Sequence, residues 1–198
     1  MSWFDIIHHF YPEDTPLRRL LILHSECVRD KALSILRQCD AAQTSLSIDE
    51  DLVVAGAMLH DIGICQTHAP SILCEGSEPY ICHGTIGARM LRQLVDNESF
   101  DAETARMIEA CARICERHTG AGLTKEDILN QQLPIEPAMD LLPESLEEKL
   151  VCLADKFFSK SGDPSKEKSL EQVRRSMMKF GADSQARFEA LCATFNIK

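Results

Sequence analysis

The feature that most limits the fold of this chain is an uncharged apolar stretch, Leu52–Leu59, that leads directly into His60 and Asp61. A helix without a polar face is buried on all sides, so this stretch predicts the central element of the core. An unpaired ionised carboxylate at its end would cost several kcal/mol. A divalent metal ion could compensate that charge, because imidazole and carboxylate are both metal ligands.

Helix start signals surround this central stretch. Ser47–Glu50 has the pattern of a capping box that opens the central helix, and Gly63 suits a left-handed residue that ends it. Thr15-Pro16 predicts an earlier helix that extends to about Cys39. Other helices are predicted to begin near Ser2, His83, Asp101, Thr124, Pro143, Asp163 and Asp183. The pattern predicts an all-α bundle of about eight helices.

Length and composition limit the class of protein. A chain of 198 residues predicts a single domain over 1–198, with its core at about 15–160 and a helical extension at 163–198. The net charge of −10 argues against a nucleic-acid partner. Nine scattered cysteines without a Cys-x-x-Cys motif predict a reducing, cytoplasmic location. No apolar run reaches the ~18 residues of a membrane span, so we expect no membrane association.

Further residues with metal-binding side chains occur at predicted helix faces or ends. Taken alone, each has a simpler explanation: a histidine in a core usually bonds a carbonyl group, and Asp155 could pair with Lys156. Taken with the central His-Asp pair, they form an ordered series along the chain. The series is His24, His60, Asp61, His83, His118 and Asp155.

This order resembles that of the HD superfamily of metal-dependent phosphohydrolases, and residues 60–63 spell the motif of its HDIG branch. The segments Arg117–Glu126 and Leu141–Val151, with Ala154-Asp155 after them, are similar to a small HDIG-containing family. The resemblance covers roughly residues 15–160 and implies an HD-domain-like helical bundle. The Gly-Tyr-Pro segment of cyclic-dinucleotide phosphodiesterases is absent after His118, so that activity is not expected.

The resemblance also implies a metal site. Four histidines and two aspartates exceed the needs of one catalytic zinc ion, which favours two divalent ions, chosen from Fe, Mn, Co, Ni and Mg. In superfamily members that keep the six residues, Asp61 is shared by both ions. The first ion is held by His24, His60, Asp61 and Asp155, and the second by Asp61, His83 and His118.

Residues outside the ligand set are candidates for contact with substrate. The segment 64–82 reads as a long loop, and long loops in compact domains are often functional, so His68 is a candidate acid or base. The glycines after His118 precede a helix start that could offer backbone N–H groups to an anion, although a plain turn explains them equally well. The predicted catalytic residues are Asp61, His68 and Lys156, and the predicted substrate-binding residues are Arg117, Lys156, Gly120 and Gly122.

The expected function is hydrolysis of a nucleotide or another small phosphorylated metabolite at a dinuclear metal site. Two other functions stay open on the same residues. One is oxidation by a mixed-valent di-iron centre, because some HD-domain enzymes use the same six ligands for that chemistry. The other is a nucleotide sensor without turnover. The C-terminal helices are expected to cover the core or to form a homodimer surface.

Overall fold

A computed structural model describes residues 2–41 and 46–198. Nine α-helices occur in these ranges, so the predicted all-α class is confirmed, and their number agrees with the prediction of about eight. Among the described helices, none is long and apolar enough to span a membrane. The helices are α1 Trp3–Phe10, α2 Pro16–Ala41, α3 Glu50–Leu59, α4 His83–Asn97, α5 Ala102–Arg117, α6 Lys125–Asn130, α7 Leu146–Asp155, α8 Leu170–Met177 and α9 Ala182–Thr194.

Most predicted helix starts are formed by the expected capping side chains. Ser2 and Thr124 each take part in a capping box, and the Asp101 carboxylate accepts hydrogen bonds from two backbone N–H groups of α5. The central helix α3 begins later than predicted. Its N-cap is Asp49, whose side chain accepts from the N–H of Leu52.

Helix α3 lies at the centre of the molecule, as its uncharged stretch Leu52–Leu59 predicts. It packs against α2, α5 and α7. Its Met58 and Leu59 belong to a core cluster shared with α1, α4 and α5, while Val53 and Ala57 belong to a second cluster shared with α2, α7 and α9. The C-terminal end of α3 therefore lies where both halves of the core meet.

Gly63 does not end α3 in a left-handed conformation, contrary to the prediction. Its φ is not positive, and it lies in a 3-10 turn, Ile62–Gln66. A Cβ atom at Gly63 would lie 2.3 Å from the carbonyl oxygen of His83 and 2.4 Å from the backbone nitrogen of Gly87. Glycine is therefore required here by the close approach of α4.

The segment predicted as a long loop contains a small sheet. Its strands are β1 Thr67–Ala69, β2 Cys74–Glu75 and β3 Glu78–Pro79, in the order β2-β1-β3. Strand β1 is antiparallel to β2, with His68 opposite Glu75, and parallel to β3. Strands this short leave no alternating pattern in the sequence, which is why the prediction missed them.

The C-terminal part departs from the predicted boundaries. Helix α7 is shorter than the predicted helix from Pro143, and α8 begins at Leu170 with Ser169 as its N-cap. Asp163 accepts hydrogen bonds from Ser165 in a local turn instead of opening α8. Residues 156–169 consequently form an irregular segment that continues from the end of α7.

We expect Gly63→Ala to lower the free energy of unfolding by about 3 kcal/mol or more, because the new Cβ would contact backbone atoms that cannot rotate away. Urea unfolding would measure the loss. Gly87→Ala is the matched variant, since its closest Cβ neighbour is a side-chain carbon of Ile62 at 3.1 Å, and its effect should be smaller. Equal losses in the two variants would contradict this account of Gly63.

Candidate metal centre

The predicted ligands lie close together at the centre of the bundle. They come from the ends of four helices and from within a fifth. One histidine lies within α2. The other five residues lie at helix ends or directly next to them, where a side chain need not follow the regular face of the helix. All are between 0% and 9% exposed. The residues are His24 in α2, His60 and Asp61 after α3, His83 at the start of α4, His118 after α5 and Asp155 at the end of α7.

The first donor group consists of His24, His60, Asp61 and Asp155. Nε2 of His24 lies 3.0 Å from Asp155 Oδ1 and 3.3 Å from Asp61 Oδ2. Nε2 of His60 lies 3.1 Å from Asp61 Oδ2 and 3.5 Å from Asp155 Oδ1. One atom of each residue thus faces a common point, as ligands of one metal ion must.

The second donor group consists of Asp61, His83 and His118. Asp61 Oδ1 lies 3.3 Å from Nε2 of His83 and 3.5 Å from Nε2 of His118. Asp61 therefore presents a different carboxylate oxygen to each group. The structure brings together all six residues of the predicted ligand set, in the two groups that the resemblance implies.

Backbone carbonyl groups determine which ring nitrogen faces the cluster. In His60, His83 and His118, Nδ1 lies 2.7 Å from a carbonyl oxygen. A carbonyl oxygen only accepts, so Nδ1–H donates and Nε2 of the neutral ring keeps its lone pair. Metal-binding histidines are commonly oriented in this way. The acceptors are the carbonyl oxygens of Ala57, Tyr80 and Cys115, respectively.

The polar atoms left over at the centre fit a bound cation. Nε2 of His60 and both oxygens of Asp61 have no hydrogen bond of good geometry among the described residues, although charged groups lie close to them. Nε2 of His83 and Nε2 of His118 are 3.0 Å apart, and in two neutral rings with Nδ1–H both atoms are acceptors. Two lone pairs at this distance repel, and a cation between them removes the conflict.

The pKa values of the histidines differ with their surroundings. Burial lowers the pKa of His83 to about 3, and it also lowers the pKa of His118, so both rings stay neutral. Burial opposes a charge on His60 as well, but Asp61 and Asp155 outweigh it and raise the pKa of His60 to about 9. The two carboxylates therefore favour a cation at His60 Nε2, where either a proton or a metal ion can bind.

Lys160 is a site residue that the sequence did not reveal. Its Nζ lies 2.5 Å from Asp61 Oδ2 and 3.3 Å from His24 Nε2. On a continuous helix Lys160 would lie about 140° around the axis from Asp155 and would be assigned to another face. Because α7 ends at Asp155, the irregular segment after it turns Lys160 back into the cluster.

Lys156, predicted as both catalytic and substrate-binding, lies beside the cluster but does not face its centre. Its Nζ is 2.7 Å from Asp155 Oδ2 and donates a hydrogen bond to the carbonyl oxygen of His118 at 3.1 Å. Asp155 Oδ1 is thereby left to the first donor group. These contacts suit a residue that orients a ligand and give no support for a contact with substrate.

His68 and Arg117 are not brought to the cluster. His68 is exposed on β1 and belongs to neither donor group, so its contacts do not support a role as acid or base. The Arg117 guanidinium donates to the carbonyl oxygen of Leu142 and pairs with Glu144 at 2.8 Å. This pairing uses the charge that a substrate phosphate would need, so the predicted substrate contact of Arg117 finds no support.

Gly120 and Gly122 form a turn after His118, and both have positive φ angles of 62° and 81°. The N–H of Gly122 donates to the carbonyl oxygen of Thr119, so it is not free for an anion. Both glycines line a cavity of about 340 Å³. Its other lining residues include Ile81, Leu133, Phe180, Gln131 and Arg187.

Comparison with known families agrees with this arrangement. The profile of the HD domain matches residues 21–159, most of the chain and all six donor residues. The chain belongs to the HD-domain family. No solved structure matches it significantly.

Curated relatives of this HD protein are longer than the part that they share with it. An uncharacterized protein of Methanocaldococcus jannaschii is 42% identical over 108 residues, which are 54% of this chain and 49% of that protein. A tRNA (cytidine(56)-2'-O)-methyltransferase of Picrophilus torridus is 35% identical over 71% of this chain and 32% of its own length. The protein of the same name from Thermoplasma volcanium is 32% identical over 84% of this chain and 38% of its own length. The HD protein thus spans less than half of each.

We expect divalent metal to stabilise this HD protein. At a free metal concentration of about 100 Kd, binding to the folded state adds about 2.7 kcal/mol, which raises the Tm by roughly 5–10 °C. Differential scanning calorimetry with and without a chelator would measure the shift. His60→Ala should remove most of it, whereas His8→Ala, at an exposed position, should keep it. Lack of a shift with all of Mn, Fe, Co, Ni and Mg would contradict a metal site.

Proposed function

We propose that this HD protein is a metal-dependent phosphohydrolase that acts on a nucleotide or another small phosphorylated metabolite at a dinuclear site. The observation that carries the proposal is the division of Asp61 between the two donor groups. Its Oδ2 lies 3.1 Å from His60 Nε2 in the first group, and its Oδ1 lies 3.3 Å from His83 Nε2 in the second. A single carboxylate would therefore hold two ions side by side.

The chain supplies each ion with a distinct set of atoms. The first would be held by His24, His60, Asp61 Oδ2 and Asp155 Oδ1, and the second by Asp61 Oδ1 with two neutral histidines. When bound, such ions lower the pKa of a water molecule and polarise a phosphoryl oxygen. The carbonyl groups behind the rings keep each Nε2 directed inward, and the buried surroundings exclude bulk water from the reacting groups.

The charge balance of the cluster favours an anionic substrate. In the metal-free protein, Asp61 and Asp155 are ionised, because their charged neighbours outweigh burial and hold both pKa values well below the usual range. Their charge is balanced by Lys156 and Lys160. Divalent ions would then give the site a net positive charge within a chain of net charge −10. Such a local field attracts a phosphate group while the remaining surface repels polyanions.

The names of the two methyltransferase relatives do not change this proposal. The stretch that they share with this chain is 32% and 38% of their lengths. The HD profile covers residues 21–159, so the aligned stretches must overlap it. We therefore assign the shared stretch to an HD domain within those longer proteins. Methyl transfer is not carried over to this chain.

We expect Asp61→Ala to abolish phosphate release, because Asp61 is the residue common to both donor groups. His83→Ala should lose mainly the second ion, so metal content should fall by about half. A screen of phosphorylated metabolites with Mn, Fe, Co, Ni and Mg would measure phosphate release, and elemental analysis would measure metal per protomer. Asp96→Ala, which removes an exposed carboxylate, is the control and should keep wild-type values.

Three results of this experiment would contradict the proposal. Hydrolysis by Asp61→Ala at the wild-type rate would exclude the dinuclear mechanism. Oxygen uptake by the ferrous protein together with oxidation of a small polyol or phosphonate would assign it to di-iron oxidation. Binding of a nucleotide without turnover in any metal would assign it to sensing.

A further inference from the structure

Lys160 places an ammonium group inside the candidate metal centre. Its side chain is 10% exposed, and its Nζ contacts Asp61 Oδ2 at 2.5 Å and His24 Nε2 at 3.3 Å. The phenol of Tyr80 interacts with the Lys160 ammonium as well. The Tyr80 ring stacks on the His83 ring, with 4.7 Å between the ring centroids. The ammonium thus contacts the same two atoms that the first donor group would offer to a metal ion.

An ammonium and a divalent ion cannot both use these two atoms. An Nε2 atom has a single lone pair, and a metal bound to it lies about 2.0–2.2 Å away. Two cations that share a carboxylate oxygen in a buried site also repel each other strongly. Lysine has a long, flexible side chain, and Lys160 belongs to the irregular segment 156–169, so its head group can move when a metal enters.

Three other cations, two of them on the segment after α7, already have partners. Lys156 holds Asp155 Oδ2, and Lys168 donates to the carbonyl oxygen of Phe158 at 2.7 Å. Arg117 is paired with Glu144. None of these partners is a donor atom of either metal group. Among these four cations, Lys160 alone would lose its ionic partner to a metal ion.

We propose that Lys160 is an internal counter-cation that the first metal ion displaces, and that the displaced ammonium then binds an oxygen of the substrate phosphoryl group. The proposal rests on the proposed metal-dependent function and deepens it by assigning the phosphate contact. Lys160 would thus pair with Asp61 before the metal ion binds and with the phosphoryl group afterwards. The same positive charge would stabilise the metal-free cluster and then bind the substrate.

Isothermal titration calorimetry of the chelator-stripped protein with Mn²⁺ tests the displacement. Lys160→Met removes the competing charge and should tighten the first Mn²⁺ site by roughly tenfold or more. Lys156→Met is the matched control on the same segment. It removes the group that orients Asp155 and should weaken the same site by roughly tenfold. Unchanged or weaker Mn²⁺ binding in Lys160→Met would overturn the displacement.

Titration of the Mn²⁺-saturated protein with inorganic phosphate tests the second half. Lys160→Met should weaken phosphate binding by roughly tenfold or more, the loss expected for one hydrogen bond to a charged group. Lys160→Arg, which keeps the charge, should restore most of the affinity. Equal phosphate affinity in wild type and Lys160→Met would overturn the assignment. Circular dichroism would verify that each variant keeps its helical content.

These measurements are independent of turnover. If the wild type releases no phosphate from any metabolite, the proposed function fails, but opposite shifts of Mn²⁺ affinity in Lys160→Met and Lys156→Met would still support displacement. If phosphate release is found and Lys160→Met leaves Mn²⁺ affinity unchanged or weaker, the proposed function stands and the role of Lys160 is wrong.

Discussion

The structure depends on the compensation of one buried charge, the Asp61 carboxylate. Asp61 is fully buried, and a carboxylate at such a position is tolerated only when cations or polar groups surround it. Its two oxygens are approached by four histidines and by Lys160. These groups come from separate helices and from the segment after α7, so the arrangement that stabilises Asp61 also ties the bundle together at its centre.

The bundle supplies this arrangement through the ends of its helices. His60 and His118 lie just past the ends of α3 and α5, and His83 begins α4. Each ring is oriented by a backbone carbonyl oxygen three residues earlier in the chain. The inward direction of each Nε2 is therefore a property of the local backbone, and it does not require a second layer of side chains. Gly63 maintains the arrangement by letting α4 approach the turn that follows Asp61.

Some contacts in the structure differ from what the sequence suggested, for physical reasons that can be named. Lys160 was missed because helical periodicity assigns it to another face, and only the end of α7 turns it inward. Arg117 was assigned to the substrate because it precedes His118, yet its charge is used by Glu144, which is distant in sequence. His68 was chosen for its place in a long segment, and the pairing of β1 leaves it exposed.

The all-α class and the central position of α3 could be read from sequence alone, because capping side chains and an uncharged stretch are local signals. The six donor residues could be named because their order along the chain resembles that of the HD superfamily. Tertiary contacts set which donor atoms face each other, how Asp61 divides its oxygens between the two groups, and which lysine enters the cluster. Those features depend on where helices end and on contacts between residues far apart in the chain, such as Lys160 with His24, which no periodicity encodes.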